Sequence, residues 1–263
     1  MDLALKGKSV AVTGGNRGIG LAIALAFASE GTNVSIVARN KEALAKAKAE
    51  IEAKGVKAHA ISADLFTAEG CKRAIDESAE ALGGLDVLVN NASTSVSGGL
   101  ETLTDDQLME RLIGKTLAYM RCCRAALPWF RKAGGGRFIC IGGGAARKAA
   151  KTSLPSGLGN SAVTNFARHF SDDIAPENMT INVVHPPFTK TDRYPARLEA
   201  RAKQLGVSLE EAEKTFIADF PIGRIVEAAD IAPVVLFLAS PQASAITGQA
   251  ISVDGGSIPG VFY

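Results

Sequence analysis

A glycine-rich turn between a short strand and an apolar helix constrains this chain more than any other feature. Ser9-Val10-Ala11-Val12-Thr13 reads as a strand, and it enters Gly14-Gly15-Asn16-Arg17-Gly18-Ile19-Gly20 before an apolar helical stretch. A turn without Cβ atoms lets backbone N–H groups approach a ligand closely, and the start of a helix favours an anion. The spacing is G-x-x-x-G-x-G rather than the commoner G-x-G-x-x-G, and its strand–turn–helix setting points to a bound nucleotide.

The rest of the chain repeats the strand–helix rhythm. Further strands are expected at Val34–Ala38, Lys57–Ser62, Val87–Asn90, Arg137–Ile141, Thr180–Val184 and Ala250–Val253. Helical patterns lie between them at 19–30, 41–54, 68–82, 104–133, 154–175 and 228–240. This order predicts an α/β fold, a three-layer doubly wound parallel β-sheet. No linker divides the chain, so residues 1–263 read as a single domain. One segment breaks the rhythm. From Thr189 to Ile222 the chain is charged, with helical character in Arg197–Leu205 and Leu209–Ala218 but no strand. So long a connection suggests a substrate cover; a surface ornament is the alternative.

Composition excludes several classes. With 47% apolar residues and a net charge of +2, the chain can bury a large core and is not disordered. Twenty-nine basic against 27 acidic residues give no polybasic signature for nucleic acid. Cys71, Cys122, Cys123 and Cys140 lack metal-ligand spacing, which argues against a metal site and for a reducing compartment. The longest apolar stretches, Ile19–Ala28 and Ile231–Ala239, are too short to span a bilayer. The N-terminus carries no signal-peptide pattern. A soluble, cytoplasmic protein with no membrane or nucleic-acid partner is expected.

Four further motifs stand in order along the chain: Asp64-Leu65, Asn90-Asn91-Ala92, His185-Pro186-Pro187-Phe188-Thr189-Lys190-Thr191 and Ser252-Val253-Asp254-Gly255-Gly256. Together with the glycine turn, they make the chain resemble the short-chain dehydrogenase/reductase family over essentially its whole length. The resemblance implies a Rossmann-like fold holding a nicotinamide dinucleotide. Gly14, Asn16, Arg17, Gly18, Ile19 and Gly20 would form the phosphate loop, with Asp64 and Leu65 at the adenine and Asn91 and Ala92 at the ribose. Thr189 and Thr191 would hold the nicotinamide carboxamide and a phosphate. It also implies a small-molecule substrate and a homotetramer or homodimer, to which the apolar end Ile258–Tyr263 would suit itself.

Charge indicates which dinucleotide. An NAD site places an acid at the end of the second strand, whereas this chain reads Val37-Ala38-Arg39-Asn40. Arg39, next to Asn40 and joined by Arg17, suits a 2′-phosphate and so NADP(H). The alternative is that Arg39 is a solvated helix-start residue.

The resembled family works with an Asn, a Ser, a Tyr and a Lys. At the matching positions this chain has Lys115, Gly143, Ser156 and Asn160. No Tyr-x-x-x-Lys occurs around Tyr119, Tyr194 or Tyr263. Two of the changes are reciprocal, Asn to Lys115 and Lys to Asn160. Lys115 shares a helical stripe with Leu108, Leu112, Tyr119 and Cys122, so it is expected to face inward, where desolvation lowers its pKa toward the range of proton transfer. A lysine that snorkels outward or joins an ion pair is the alternative. Ser156 and Asn160 share one helix face, and Ser156 could orient a substrate oxygen; tight packing of small residues explains the same pattern. Tyr119 and Tyr194 are further possible acids, Tyr194 by folding over the cofactor, while His185 and His169 read as structural. Pro187 and Ser93 stand where the family usually has Gly.

Three readings remain open. The chain is an NADP(H)-dependent oxidoreductase with relocated acid–base groups, or an inactive NADP(H)-binding sensor or assembly protein, or an enzyme for other chemistry such as isomerisation.

Overall fold

Short runs rich in β-branched and other apolar residues build the sheet, because strands covered on both faces need no polar side. The structure, a computed structural model, describes residues 2–259; Gly260–Tyr263, invoked above for subunit contacts, lie outside the described residues. The first half runs β1 (Ser9–Thr13), α1 (Gly18–Ser29), β2 (Asn33–Ala38), α2 (Lys41–Glu52), β3 (Ala58–Ser62), α3 (Ala68–Leu82) and β4 (Val87–Asn90). Then come α4 (Asp105–Arg111), α5 (Ala118–Ala133), β5 (Gly136–Ile141), α6 (Leu154–Ile174) and β6 (Met179–His185). The last third holds β7 (Thr189–Lys190), α7 (Tyr194–Leu205), α8 (Leu209–Ile217), β8 (Val226–Glu227), α9 (Ala228–Ala239) and β9 (Ala250–Ser252).

Seven strands form one parallel sheet in the order β3-β2-β1-β4-β5-β6-β9. Side chains alternate between its faces, so neighbouring strand residues serve different cores. Val10, Val12, Ile139 and Ile141 join Ile23, Phe27, Leu44 and Val235 from α1, α2 and α9. Ala11, Phe138 and Cys140 join Ile75, Cys122, Phe130 and Val163 from α3, α5 and α6. All four cysteines are free and buried. No helix among the described residues is long and apolar enough to cross a membrane, and no His/Cys/Asp/Glu cluster among them could hold a metal ion.

The structure corrects two expectations. The segment 189–222 does contain a strand: Thr189–Lys190 pairs in parallel with Val226–Glu227. Two residues are too few to print a period in the sequence. The pattern at 104–133 is not one regular helix either. It begins with a capping box at Thr104 and Gln107, and a π-helical turn over Leu112–Leu117 separates α4 from α5. The wider turn inserts a residue without changing the helix direction, and such bulges recur at functional sites. Lys115 sits within it.

Candidate active site

Strand order reverses between β1 and β4, and the carboxyl ends of the strands at such a point leave a crevice. The crevice here is a cleft of about 540 Å³. All fourteen residues expected at the cofactor line it, from Gly14 and Arg39 through Asp64 and Asn91 to Thr189 and Thr191. Its floor is tied together by Thr13, whose hydroxyl oxygen accepts the N–H groups of Asn91 at 2.9 Å and Ala92 at 3.1 Å. The Asn91 amide in turn donates to the carbonyls of Thr13 at 3.0 Å and Gly14 at 3.2 Å. A Cβ on Gly20 would lie 2.2 Å from the Gly14 carbonyl, so only glycine lets α1 start so close to the loop.

That helix start is open. Its cap residue, Arg17, provides no side-chain hydrogen bond and its first turn holds no acid, which leaves N–H groups and a positive dipole end for a ligand anion. Arg17 and Arg39 are both exposed on the cleft wall. Asn40 is on that wall too, but its side chain caps α2 by accepting the Ala43 N–H at 2.8 Å. The cradle, the uncapped helix and the two guanidinium groups fit a phosphorylated dinucleotide.

The long connection contributes Thr189, Thr191, Asp192, Arg193 and Arg197 to the wall. Tyr194 does not fold over the cleft as envisaged for a possible acid. Its ring lies in an aromatic cluster, 5.9 Å from Phe188 and 6.2 Å from Phe216, and its hydroxyl donates to Glu213 at 2.8 Å. Burial and that carboxylate push its pKa up to about 12.

Lys115, Gly143, Ser156 and Asn160, the residues expected at the family's tetrad positions, do not line the cleft; Lys115 and Asn160 bond the chain at and just beyond the end of β5. Lys115 is 2% exposed. Its ammonium donates to the carbonyls of Ile141 at 2.8 Å and Gly142 at 3.2 Å and meets the Tyr119 hydroxyl at 3.5 Å. Burial first, then the nearby Arg111 charge, lowers its pKa to about 7. Tyr119 donates to Ile141 O at 3.0 Å, and burial holds its pKa well above the phenolic range. Asn160 is buried across the same loop, donating from Nδ2 to Gly143 O at 3.3 Å while its Oδ1 has no partner among the described residues. Ser156 is half-buried one turn earlier.

His185 staples this loop to β6. The Thr164 hydroxyl donates to Asn160 O, so the His185 Nε2–H must donate to Thr164 Oγ1 at 3.1 Å. Nδ1 is then free to accept the Gly143 N–H at 3.0 Å. Burial lowers the imidazole pKa to about 4, so the ring is neutral and structural. A Cβ on Gly142 would lie 2.4 Å from Nδ1, and one on Gly143 would lie 2.6 Å from Asn160 Nδ2. The amide of Asn160 thus fills the space into which a serine at position 143 would project.

One residue escaped the sequence reading. Arg111, one turn before Lys115, is 6% exposed. Its guanidinium donates to Ser93 Oγ and Thr94 O, both on the cleft wall, while its buried Nε has no partner among the described residues. It also approaches α6, with Nε 3.4 Å from where a Gly159 Cβ would be.

Comparison with known proteins extends over the whole chain. The family described as enoyl-(acyl carrier protein) reductase matches residues 14–257. The NADPH-dependent reductase BacG of Bacillus subtilis is 31% identical over 255 residues, 95% of this chain and 97% of that one. The crystal structure of L-sorbose reductase from Gluconobacter frateurii, complexed with NADPH and L-sorbose, has a TM-score of 0.95 at 27% identity, covering 99% of this chain and 100% of that one. A short-chain dehydrogenase from Burkholderia cenocepacia in complex with NADP has a TM-score of 0.85 at 33% identity, covering 96% and 98%.

Proposed function

The chain belongs to the short-chain dehydrogenase/reductase family, and from that premise we propose that it is an NADP(H)-dependent oxidoreductase acting on a carbonyl or the corresponding alcohol. The observation that carries the reading is the uncapped start of α1 facing the same cleft as Arg17 and Arg39. Gly14 to Gly20 and the helix start hold the pyrophosphate, and Arg39 with Arg17 takes the 2′-phosphate. Asp64 and Leu65 border the adenine, Asn91 and Ala92 the ribose, and Thr189 and Thr191 the nicotinamide end. When bound, the reduced dinucleotide supplies the hydride. Lys115 supplies the proton or polarises the substrate oxygen, Ser156 orients that oxygen, and Asn160 holds Gly143 in place. Residues 189–222 cover the substrate. The protein acts in the cytoplasm, where its buried thiols stay reduced, as a homotetramer or homodimer.

Titration with NADPH is expected to enhance nucleotide fluorescence, and a panel of ketones and aldehydes is expected to oxidise it. Absence of the enhancement overturns the nucleotide site. Enhancement without turnover on any carbonyl favours a binding protein on the same fold.

Cofactor choice gives a second expected outcome. Arg39→Asp should weaken NADPH about tenfold or more, since a charge-assisted bond is lost and a like charge faces the 2′-phosphate. NADH affinity should stay within about twofold. Equal loss for both nucleotides in the fluorescence titration refutes the assignment.

A further inference from the structure

We infer that the substrate of this site is a carbonyl compound carrying an oxyanion, a carboxylate or a phosphate, which Arg111 receives between the Ser93–Thr94 wall and α6. The inference rests on the oxidoreductase reading of the same site and adds the class of its substrate.

The charge of the chain is nearly balanced as a whole, yet it is unevenly distributed. From residue 111 to residue 171 there are eleven Lys and Arg and no Asp or Glu. That stretch supplies the π-helical turn, α5, β5, the loop after β5 and most of α6. Two of its cations reach acids beyond its end: Arg131 pairs with Glu177 and Arg168 with Asp172. Arg111 and Lys115 do not. They stand one helical turn apart, both buried, and neither forms an ion pair with a described residue.

Two buried like charges without a counter-charge are expensive, because each loses its hydration and repels the other. Lys115 offsets part of that cost through two carbonyls and a hydroxyl. Arg111 offsets less, since one terminal nitrogen is engaged and the buried Nε has no partner among the described residues. Among the described residues, no carboxylate bonds to Arg111 or Lys115. His185, which faces the same loop, is neutral, and Lys148 donates to Ser257 O at 3.1 Å. A ligand oxyanion completes the cluster, and a planar guanidinium is the side chain best shaped to receive one. The bonds from Arg111 to Ser93 and Thr94 place it behind a wall of the cleft.

The test begins with the NADPH fluorescence titration, so that failure of the nucleotide reading is seen by itself. Protein saturated with NADPH is then assayed on matched pairs, oxo acids against their methyl esters and phosphorylated ketones against their hydroxyl analogues. One anionic series is expected to exceed its neutral partners in kcat/KM by about ten- to a hundredfold at low salt, the range of one charge-assisted hydrogen bond. The gap should narrow with added sodium chloride. Whichever series shows it identifies the carboxylate or the phosphate. Arg111→Gln should collapse the ratio toward unity, and Arg111→Lys should retain part of it. A second measurement needs no turnover. Protein saturated with NADP is melted with acetate or with inorganic phosphate, and at least one should raise the unfolding midpoint in wild type and not in Arg111→Gln. Neutral partners turned over as well as anions in wild type, or a midpoint shift equal in both proteins, overturns the inference.

Discussion

Replacing Lys115 by methionine is expected to slow carbonyl reduction about a hundredfold or more while leaving NADPH affinity within about twofold. The rate loss is that of a positioned proton donor; the affinity is spared because Lys115 does not line the nucleotide cleft. His185, Tyr119, Cys122 and Cys123 are poorly matched to that role near neutral pH. Burial holds His185 near a pKa of about 4 and pushes Tyr119 and Cys123 well up, while a hydrogen bond with Cys71, then burial, does the same to Cys122. The ammonium must release an acceptor to serve a substrate, and the long 3.5 Å approach to Tyr119 is the weakest to give up. Reduction by wild type should fall as pH rises through about 7, where the ammonium is lost, and the methionine variant should lack that inflection. Stability provides an independent check. The folded pKa of about 7 lies below the ordinary lysine value of 10.5, so between these values the unfolded chain binds more protons and stability rises with pH. The slope is at most about 1.4 kcal/mol per pH unit, and denaturant titrations of Lys115→Met should lack it. Full rate in the variant, or no inflection near 7 in wild type, ends the assignment.

The sheet was legible because buried parallel strands are written as short, mostly apolar runs between helical patterns, as at Val87–Asn90 and Ser9–Thr13. The nucleotide half of the site was legible for a related reason. Gly14 to Gly20 act through the backbone, so their chemistry is carried by local sequence, and the residues expected with them do gather on one cleft. The surroundings of Arg111, Tyr194 and Lys115 were harder to read. Arg111 looks in sequence like one more solvated charge at a helix end; its burial depends on Ser93, Thr94 and α6, which only tertiary structure brings to it. Tyr194 sits in a charged segment and yet turns inward, because Phe188 and Phe216 supply an aromatic pocket from two other elements. Lys115 was legible as an inward lysine from its apolar stripe, whereas its acceptors on β5 were not, since Ile141 and Gly142 offer carbonyls that no side-chain pattern announces.

Placing a serine at Gly143 is expected to harm this protein unless Asn160 is cut back with it. A Cβ at position 143 would lie 2.6 Å from Asn160 Nδ2 and 3.4 Å from its Cγ. The amide would have to leave, breaking its bond to Gly143 O and crowding the N–H that His185 accepts. Overpacking of this kind costs about 1–3 kcal/mol. Asn160→Ala alone opens a small void and loses that same hydrogen bond, but it also removes the unpartnered Oδ1, so its cost should be the lower of the two. In the Gly143→Ser, Asn160→Ala pair the serine enters the vacated space. Urea unfolding should therefore find the double variant at least about 1 kcal/mol more stable than the sum of the single effects predicts. Strict additivity would mean that the two side chains do not compete. Turnover in Gly143→Ser should not exceed that of wild type, because the added hydroxyl comes with no Tyr-x-x-x-Lys pair to work with. The glycine and the asparagine are then coupled: Asn160 occupies the space that a side chain at position 143 would take.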